Sequence, residues 1–480
     1  MKKSVTANYI YNLLFQMLTL LFPVVTTPYL SRVLGVEKIG IFSYTLSITT
    51  YFVLISSLGI SLYGQREIAY VQDNKVRMSK IFNNLFFVRL LTTLLTIVLF
   101  IVYIIVFPEY KLFYMLWIIE IIGTLFDISW FYQGIEQFKK IIFRNFMIKV
   151  MSTALIFIFI KTQDDLYKYI LIYSSTTLFG NLSLWFYISR YVSFRPFSIE
   201  NLKMLRFHLA SLLVFFIPQL ATKIYTVLDK SMIGMIVKNK NKVGYYEQSQ
   251  KVVYLLLTVL TSLGVVMMTR IANLFANKKS NDISETIKKS FKFVLLVGIP
   301  LSLGSIILAK YLIPLYLGEG YDKSVILMQI LSPIIIIVGM SNVTGVQLLI
   351  PLKRQKQYNI SVVAGAIINL ILNAILINRY SSVGAAIATV ISEFIILYIQ
   401  VRFVNNIVDI KYIIISSWKY YIAGLIMFVM CLLINILFHF SICLMLITVL
   451  FMGIISYFSI LLLLKEDLIF YFIKKIKNAE

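Results

Sequence analysis

Charge is scarce in this sequence. Asp, Glu, Lys and Arg make up 14% of its 480 residues and hydrophobic residues 60%, whereas a soluble domain carries about 25% charged residues. A chain this apolar has too little polar surface to cover itself in water, which excludes a cytosolic enzyme, a disordered segment and a secreted scaffold. Its two cysteines, Cys431 and Cys443, both lie in apolar runs and cannot form a disulfide framework. The two histidines, His208 and His439, share no ligand spacing, so no metal site is expected. A glycine-rich phosphate loop is missing, and with it the expectation of ATP hydrolysis. Acids are the rarest charges, 21 against 45 Lys and Arg, for a net charge of +24. In so hydrophobic a chain that excess marks cytoplasmic loops before it marks a nucleic-acid binder.

What the sequence has instead is long apolar stretches. A membrane helix needs about 20 mostly apolar residues, and fourteen such stretches are legible. The first two lie near 9–31 and 40–63, the sixth and seventh near 168–189 and 209–237, and the last two near 418–438 and 442–464. Met1-Lys2-Lys3 leads into a segment bearing Asn8, Asn12 and Gln16, which reads as a retained first span and not as a cleaved signal peptide. With the N-terminus inside, the inner loops and flanks hold 30 Lys and Arg and the outer ones 12. The positive-inside rule therefore places both termini in the cytoplasm. All connections are short, so the chemistry is expected between helices.

Two stretches resemble each other. Lys38-Ile39-Gly40-Ile41-Phe42 follows the first span and Lys242-Val243-Gly244-Tyr245-Tyr246 follows the seventh, each downstream of a proline, Pro23 and Pro218. Six spans separate them, so the halves run in the same direction, as in transporters built from parallel repeats. The expected organisation is a first lobe over 1–190, a cytoplasmic linker over 191–208, a second lobe over 209–405, and two further spans over 406–480.

Charges at bilayer depth cost about 2.5–3.5 kcal/mol each on insertion scales, so each needs a reason. Lys223, Thr226 and Lys230 share one face of the seventh span, with Asp229 beside them. Lys223 is too deep to reach the interface; Lys230 and Asp229 can also serve as an ion pair near the outer end. Glu120, Thr124 and Asp127 repeat the spacing in the fourth span, and Arg89 lies about two turns into the third. Arg89 and Asp127 are close enough to the cytoplasmic face to snorkel or pair there. Glu393 occupies the twelfth span, beside Asn369 and Asn373 in the eleventh; it and Glu120 line a cavity or bond neighbouring helices. The first span carries a polar stripe, Asn8, Asn12, Gln16 and Thr19, followed by Pro23 and Pro28. Prolines at membrane depth free backbone carbonyls and suit a bent, gating helix or a special packing contact.

Four runs carry a family likeness: Pro28 to Gly35 (PYLSRVLG), Tyr63 to Ala69 (YGQREIA), Asp127 to Gly134 (DISWFYQG) with the basic stretch to Arg144-Asn145, and Gly384 to Glu393 (GAAIATVISE). In this order they resemble bacterial polysaccharide flippases of the Wzx type, within the multidrug, oligosaccharidyl-lipid and polysaccharide exporter superfamily. The resemblance covers nearly the whole chain. It implies an all-α integral membrane protein with two six-helix lobes in a V shape plus two C-terminal helices, and no enzymatic activity. The implied cargo is an oligosaccharide repeat unit on undecaprenyl pyrophosphate, turned from the cytoplasmic to the outer leaflet of the bacterial inner membrane. A polysaccharide polymerase and a chain-length regulator are the implied partners. On this reading Lys223, Lys230, Arg32, Arg66 and Arg89 are candidates to hold the pyrophosphate, and Asn12 and Gln16 to meet the sugar. Glu120, Asp127, Asp229 and Glu393 are the candidate proton or sodium carriers, with no other cofactor expected, and Pro23, Pro28 and Pro218 the candidate hinges. The rival readings keep the fold and change the cargo, to a teichoic-acid or peptidoglycan precursor or a cationic drug, or replace transport by a polymerase or glycosyltransferase. The short loops speak against the enzymes and the lysine face against cationic drugs.

Overall fold

The computed structural model describes residues 5–194 and 199–466, without side-chain placement for 5–21, 199–210 and a few positions between 217 and 280. Among the described residues the chain is helical, with no strand. This is what hydrocarbon solvent demands, since an α-helix satisfies its own backbone donors and acceptors.

The chain packs as two units, residues 1–234 and 235–480. The first contains α1 (Val5–Ser57), α2 (Ile60–Tyr70), α3 (Lys75–Val106), α4 (Lys111–Phe126), α5 (Ser129–Gly134), α6 (Phe138–Phe159), α7 (Leu166–Ser183) and nearly all of α8 (Ile199–Ile236). In the second, α9 (Asn241–Ala276), α10 (Ser280–Leu317), α11 (Asp322–Leu331) and α12 (Ile334–Asn342) lead through a π-helical turn (Val343–Leu349) to α13 (Gln355–Tyr380) and α14 (Ser382–Val404). A short α15 (Ile410–Ser416) and the pair α16 (Trp418–Leu437) and α17 (Ile442–Leu463) complete it. The division at Gly234 falls inside the helix that the sequence reading placed at the head of the second lobe.

Eleven helices among the described residues are long and apolar enough to cross a membrane. They cover twelve of the fourteen expected spans, because the first two spans are continuous. The segments expected as the sixth and seventh spans are also helical, in α7 and α8, but fall outside those eleven. The expected loop between the first two spans is reduced to a single non-helical residue, Gly35, at φ 74° and ψ 171°. That conformation is essentially closed to residues with a Cβ, so one glycine does the work of a connection. Pro23 and Pro28 both lie within α1, upstream of this break.

Between α6 and α7 the backbone turns around Asp165. Its Oδ2 accepts from the backbone N–H groups of Lys161 (2.8 Å) and Thr162 (2.9 Å), and its Oδ1 pairs with Lys168 Nζ at 2.6 Å. Together with Thr162 it forms a capping box that satisfies donors otherwise left open at the helix start. The Lys168 ammonium first, then these backbone donors, hold the Asp165 carboxyl below the usual carboxylate range. A carboxyl depressed in the folded state stabilises at pH values above its unfolded pKa of about 3.9, and that contribution is lost as pH falls through the lower folded value. Asp165→Asn is therefore expected to lower the melting midpoint of the purified protein at neutral pH. The gap to the wild type should narrow as the pH falls below about 4, and a gap independent of pH would contradict the assigned cap.

Candidate functional site

Two of the family-like runs pack on each other. YGQREIA lies in α2 and DISWFYQG runs from the end of α4 through α5, and each contributes a glycine as a notch for the other. A Cβ on Gly64 would come within 2.5 Å of the Trp130 ring, and one on Gly134 within 2.7 Å of Ile68 and 2.9 Å of the Gln65 carbonyl. Trp130 stacks on Phe82 of α3, and Phe131 meets Phe82 edge-on. Phe82, Trp130, Phe131 and Tyr132 are all buried.

Two cations border this core. The Arg66 guanidinium lies over the rings of Tyr63 (5.2 Å), Tyr70 (6.0 Å) and Phe215 of α8 (4.8 Å) and pairs with Glu67 at 2.8 Å. The Lys140 ammonium sits among three tyrosines, Tyr132, Tyr187 and Tyr191, at 4.7–5.1 Å, and donates to the Tyr191 hydroxyl. Such contacts are each worth about 0.5–1 kcal/mol at exposed sites. They tie α2 to α8 and α6 to the segment that leaves α7.

Beneath lies a charged joint. The helix stops at Phe126 and restarts at Ser129, and the turn is built on Asp127, whose Oδ1 accepts from the Ser129 backbone N–H (3.0 Å) and from its hydroxyl. Arg89, 2% exposed, donates from Nη1 to the Asp127 carbonyl at 3.0 Å. Arg144 of α6 completes the joint. Its Nη1 lies 3.6 Å from Asp127 Oδ1 and donates to Ser129 Oγ (2.8 Å) and Asn181 Oδ1 (2.9 Å), while its Nε donates to Asn145 Oδ1 (2.9 Å). Asn181 in turn donates to the Gly123 carbonyl. Two guanidinium groups around one carboxylate leave an excess of positive charge, and their donors go to the neutral oxygens of the Asp127 carbonyl, Ser129, Asn145 and Asn181. The sequence placed Arg89 and Asp127 in one region, and the structure joins them; Arg144 and Asn181, which complete the network, were not singled out as site residues. The only available signal was that Arg144-Asn145 continues the DISWFYQG run.

The remaining candidates are dispersed. Arg32 and Lys223 are exposed, Lys230 is half-buried and Asp229 buried. Thr226, also exposed, donates to the Lys223 carbonyl. Near Asp229, the Tyr51 hydroxyl and Ser231 Oγ are 2.7 Å apart. Glu120 is half-buried beside Thr177, and its Oε2 is enclosed without a hydrogen-bond partner. The side chains of Asn12, Gln16 and Pro218 lie outside the described residues.

The second unit has its own polar seam. Glu393 (7% exposed), Thr389 and Ser392 of α14 are buried, as are Asn369 and Asn373 of α13, where Asn373 Nδ2 donates to Asn369 Oδ1 at 3.0 Å. Tyr246 of α9 and Thr389 join hydroxyls at 3.0 Å. Further along, Gln400 accepts from Thr344 in the π-helical turn (2.6 Å) and donates to Ser361 (3.1 Å). Glu393, Asn369 and Asn373 were expected in neighbouring spans; the Thr344–Gln400–Ser361 chain was not foreseen, because lone amides and hydroxyls in apolar spans do not reveal their partners.

Comparison with known proteins agrees with the shared runs. Residues 5–275 match the family described as polysaccharide biosynthesis protein, and residues 215–376 the family described as MatE. A putative O-antigen transporter of Escherichia coli (strain K12) is 26% identical over 410 residues, covering 84% of this chain and 98% of the relative. A putative O-antigen transporter of Shigella dysenteriae is 23% identical over 387 residues, covering 80% and 96%. In fold, the chain is similar to the lipid II flippase MurJ in an inward closed conformation, with a TM-score of 0.77, 18% identity, and coverage of 96% of this chain and 100% of that one. It is also similar to an inward-facing multidrug resistance MATE family transporter of the MOP superfamily, with a TM-score of 0.62, 11% identity, and coverage of 80% and 93%.

Gly64→Val drives a branched side chain into the Trp130 ring and is expected to cost about 1–3 kcal/mol, read as a lowered melting midpoint in detergent. Arg144→Leu strips donors from Asp127, Ser129 and Asn181, at about 1.5–3 kcal/mol. Arg144→Lys should recover less than half of that loss, because one ammonium cannot reach what the guanidinium fork spans. Full recovery by lysine would mean that charge alone matters at this joint.

Proposed function

Since the chain belongs to the polysaccharide biosynthesis protein family, we propose that it is a lipid-linked oligosaccharide flippase of the Wzx type, a multi-pass membrane transporter and not an enzyme. The observation that carries this reading is the near full-length match to putative O-antigen transporters. The cargo is an undecaprenyl-pyrophosphate-linked repeat unit, turned from the cytoplasmic to the outer leaflet of the bacterial inner membrane by alternating access. Both termini lie in the cytoplasm, and a polymerase and chain-length regulator take over the product.

The physical need is plain. A pyrophosphate forced unaided through hydrocarbon would meet a Born cost of tens of kcal/mol, so the protein must supply a polar, cationic path. Lys223 suits that path: it is exposed, and a charge in a membrane helix that is not buried among its own neighbours needs a wet surface or an anionic ligand. Arg32 and Arg66 are exposed as well, whereas Arg89 is enclosed and bound to Asp127. Arg89 is therefore assigned to holding the joint and not to the cargo. The same reasoning sets Asp127 aside as an ion carrier, since Arg144 and Ser129 occupy its carboxylate. Glu120, with an enclosed oxygen that has no hydrogen-bond partner, and Glu393, buried in α14, are the better carriers for a coupling proton or sodium ion. A lysine on the transport face disfavours a cationic drug as cargo.

Deletion of the gene should cause lipid-linked repeat units to accumulate in the inner leaflet, with loss of surface polysaccharide. Wild-type protein should clear them; Lys223→Ala, expressed and inserted at normal levels, should not. Normal surface polysaccharide in the deletion strain would end the flippase reading, and normal export by Lys223→Ala would remove that lysine from the path.

A further inference from the structure

Between α12 and α13 the helix winds wider than an α-helix. The Ile350 N–H bonds the Gly345 carbonyl at 3.1 Å, reaching back five residues and not four. Such turns are rare and recur at functional sites; one persists only where its neighbours favour it over the α register.

Three sets of contacts do so here. Thr344 donates to Gln400 Oε1 of α14 at 2.6 Å, and the same amide donates to Ser361 of α13 at 3.1 Å. Gln347 donates to Asn342 Oδ1 at 3.2 Å, and that oxygen fits against Gly264 of α9, where a Cβ would come within 2.5 Å of it. Gly345 lies between two side chains: a Cβ there would come within 2.8 Å of the Tyr358 ring and 3.0 Å of Gln400 Nε2. Thr344, Gln347, Ser361 and Gln400 are each 2% exposed or less. The turn also carries a cost, since Gln347 Oε1 is enclosed without a hydrogen-bond partner. Contacts that hold the π register are thus set against a penalty within it.

A charge bears on the same turn. The Tyr358 hydroxyl interacts electrostatically with Glu393, and the Tyr358 ring packs against Gly345. Gln400 follows Glu393 by seven residues, on the same face of α14. Glu393 is therefore linked to the turn twice, through Tyr358 of α13 and through the amide latch on its own helix.

We propose that the turn at Val343–Leu349 is a switch between π and α registers, set by the charge of Glu393 through Tyr358 and Gln400; this rests on the reading of Glu393 as an ion carrier. A carboxylate at Glu393 draws the Tyr358 hydroxyl and holds its ring at Gly345, which keeps the turn in the π register. A bound ion cancels that pull, the Thr344–Gln400 bond opens, and the turn relaxes to α. A π turn takes up one residue more than an α turn, so the change rotates α12 against α13 by about 100° and shifts it by ~1.5 Å. Ion exchange at a buried carboxyl thereby becomes a movement within the second unit.

The test measures the distance between spin labels at Ile337→Cys of α12 and Ile367→Cys of α13 by pulsed electron spin resonance. It uses the full-length protein in detergent, with Cys431→Ala and Cys443→Ala. The unaltered turn should give one main distance, and Glu393→Gln should add a second. Gln400→Leu removes one hydrogen bond from the latch and should shift the ratio of the two distances by about tenfold toward the second. Deletion of Val346 removes the extra residue that a π turn accommodates, leaves the flanking helix faces in place, and should abolish the second distance in both variants. An unchanged distribution in Glu393→Gln, or a second distance that survives the deletion, would overturn the switch. If the deletion variant fails to fold, Glu393→Gln and Gln400→Leu decide. The readout needs no cargo, so a second distance in a protein whose gene deletion leaves surface polysaccharide normal would end the flippase reading and keep the switch.

Discussion

The hydrogen bonds of Arg144 to Ser129 and Asn181, beside the Asp127 carboxylate, are the interaction on which the first unit depends. A helix interrupted inside a membrane protein exposes backbone groups that hydrocarbon cannot satisfy. At Asp127 the interruption survives because a carboxylate caps the restart, one arginine takes the freed carbonyl, and a second bridges the joint to α7. Only a guanidinium has the fork of donors to reach several oxygens from a fixed position. The joint lets α4 and α5 diverge, and α5 can then lie across α2.

That crossing explains why two distant runs of sequence have the residues they have. Gly64 and Gly134 remove side-chain bulk where α2 and α5 approach, and Trp130, Phe131 and Phe82 fill the volume around them. These aromatic side chains thus have a structural part in the core. Arg66 and Lys140, both counted among the loop cations, are held against aromatic rings at the border of this core. A positive-inside residue can set topology during insertion and then brace helices once folded.

The second unit solves the same problem with neutral groups. Amides and hydroxyls on α13, α14 and the π-helical turn bond one another in chains, which avoids the desolvation cost of buried ion pairs. Charged groups are buried in this unit as well, among them Glu393, Glu247 and Glu466.

Much of this architecture is legible in the sequence. Apolar stretches of membrane length fixed the all-helical class, because a chain with so little charge has no other way to satisfy its backbone. The four runs pointed to the family, and the scarcity of acids reduced the candidate ion carriers to a handful. Boundaries were less legible: Gly35 alone separates two expected spans, since a single residue with positive φ leaves hydropathy unchanged. Partners were not legible at all. Sequence spacing shows which residues share a helical face, but Arg144 reaches Asp127, Ser129 and Asn181 across three helices, and only packing decides which faces meet. The sequence by itself determined the solvent, the secondary structure and the family. The tertiary structure alone decided which buried charges are spent on holding helices together and which, like Lys223, remain exposed, because burial depends on neighbours that lie far away along the chain.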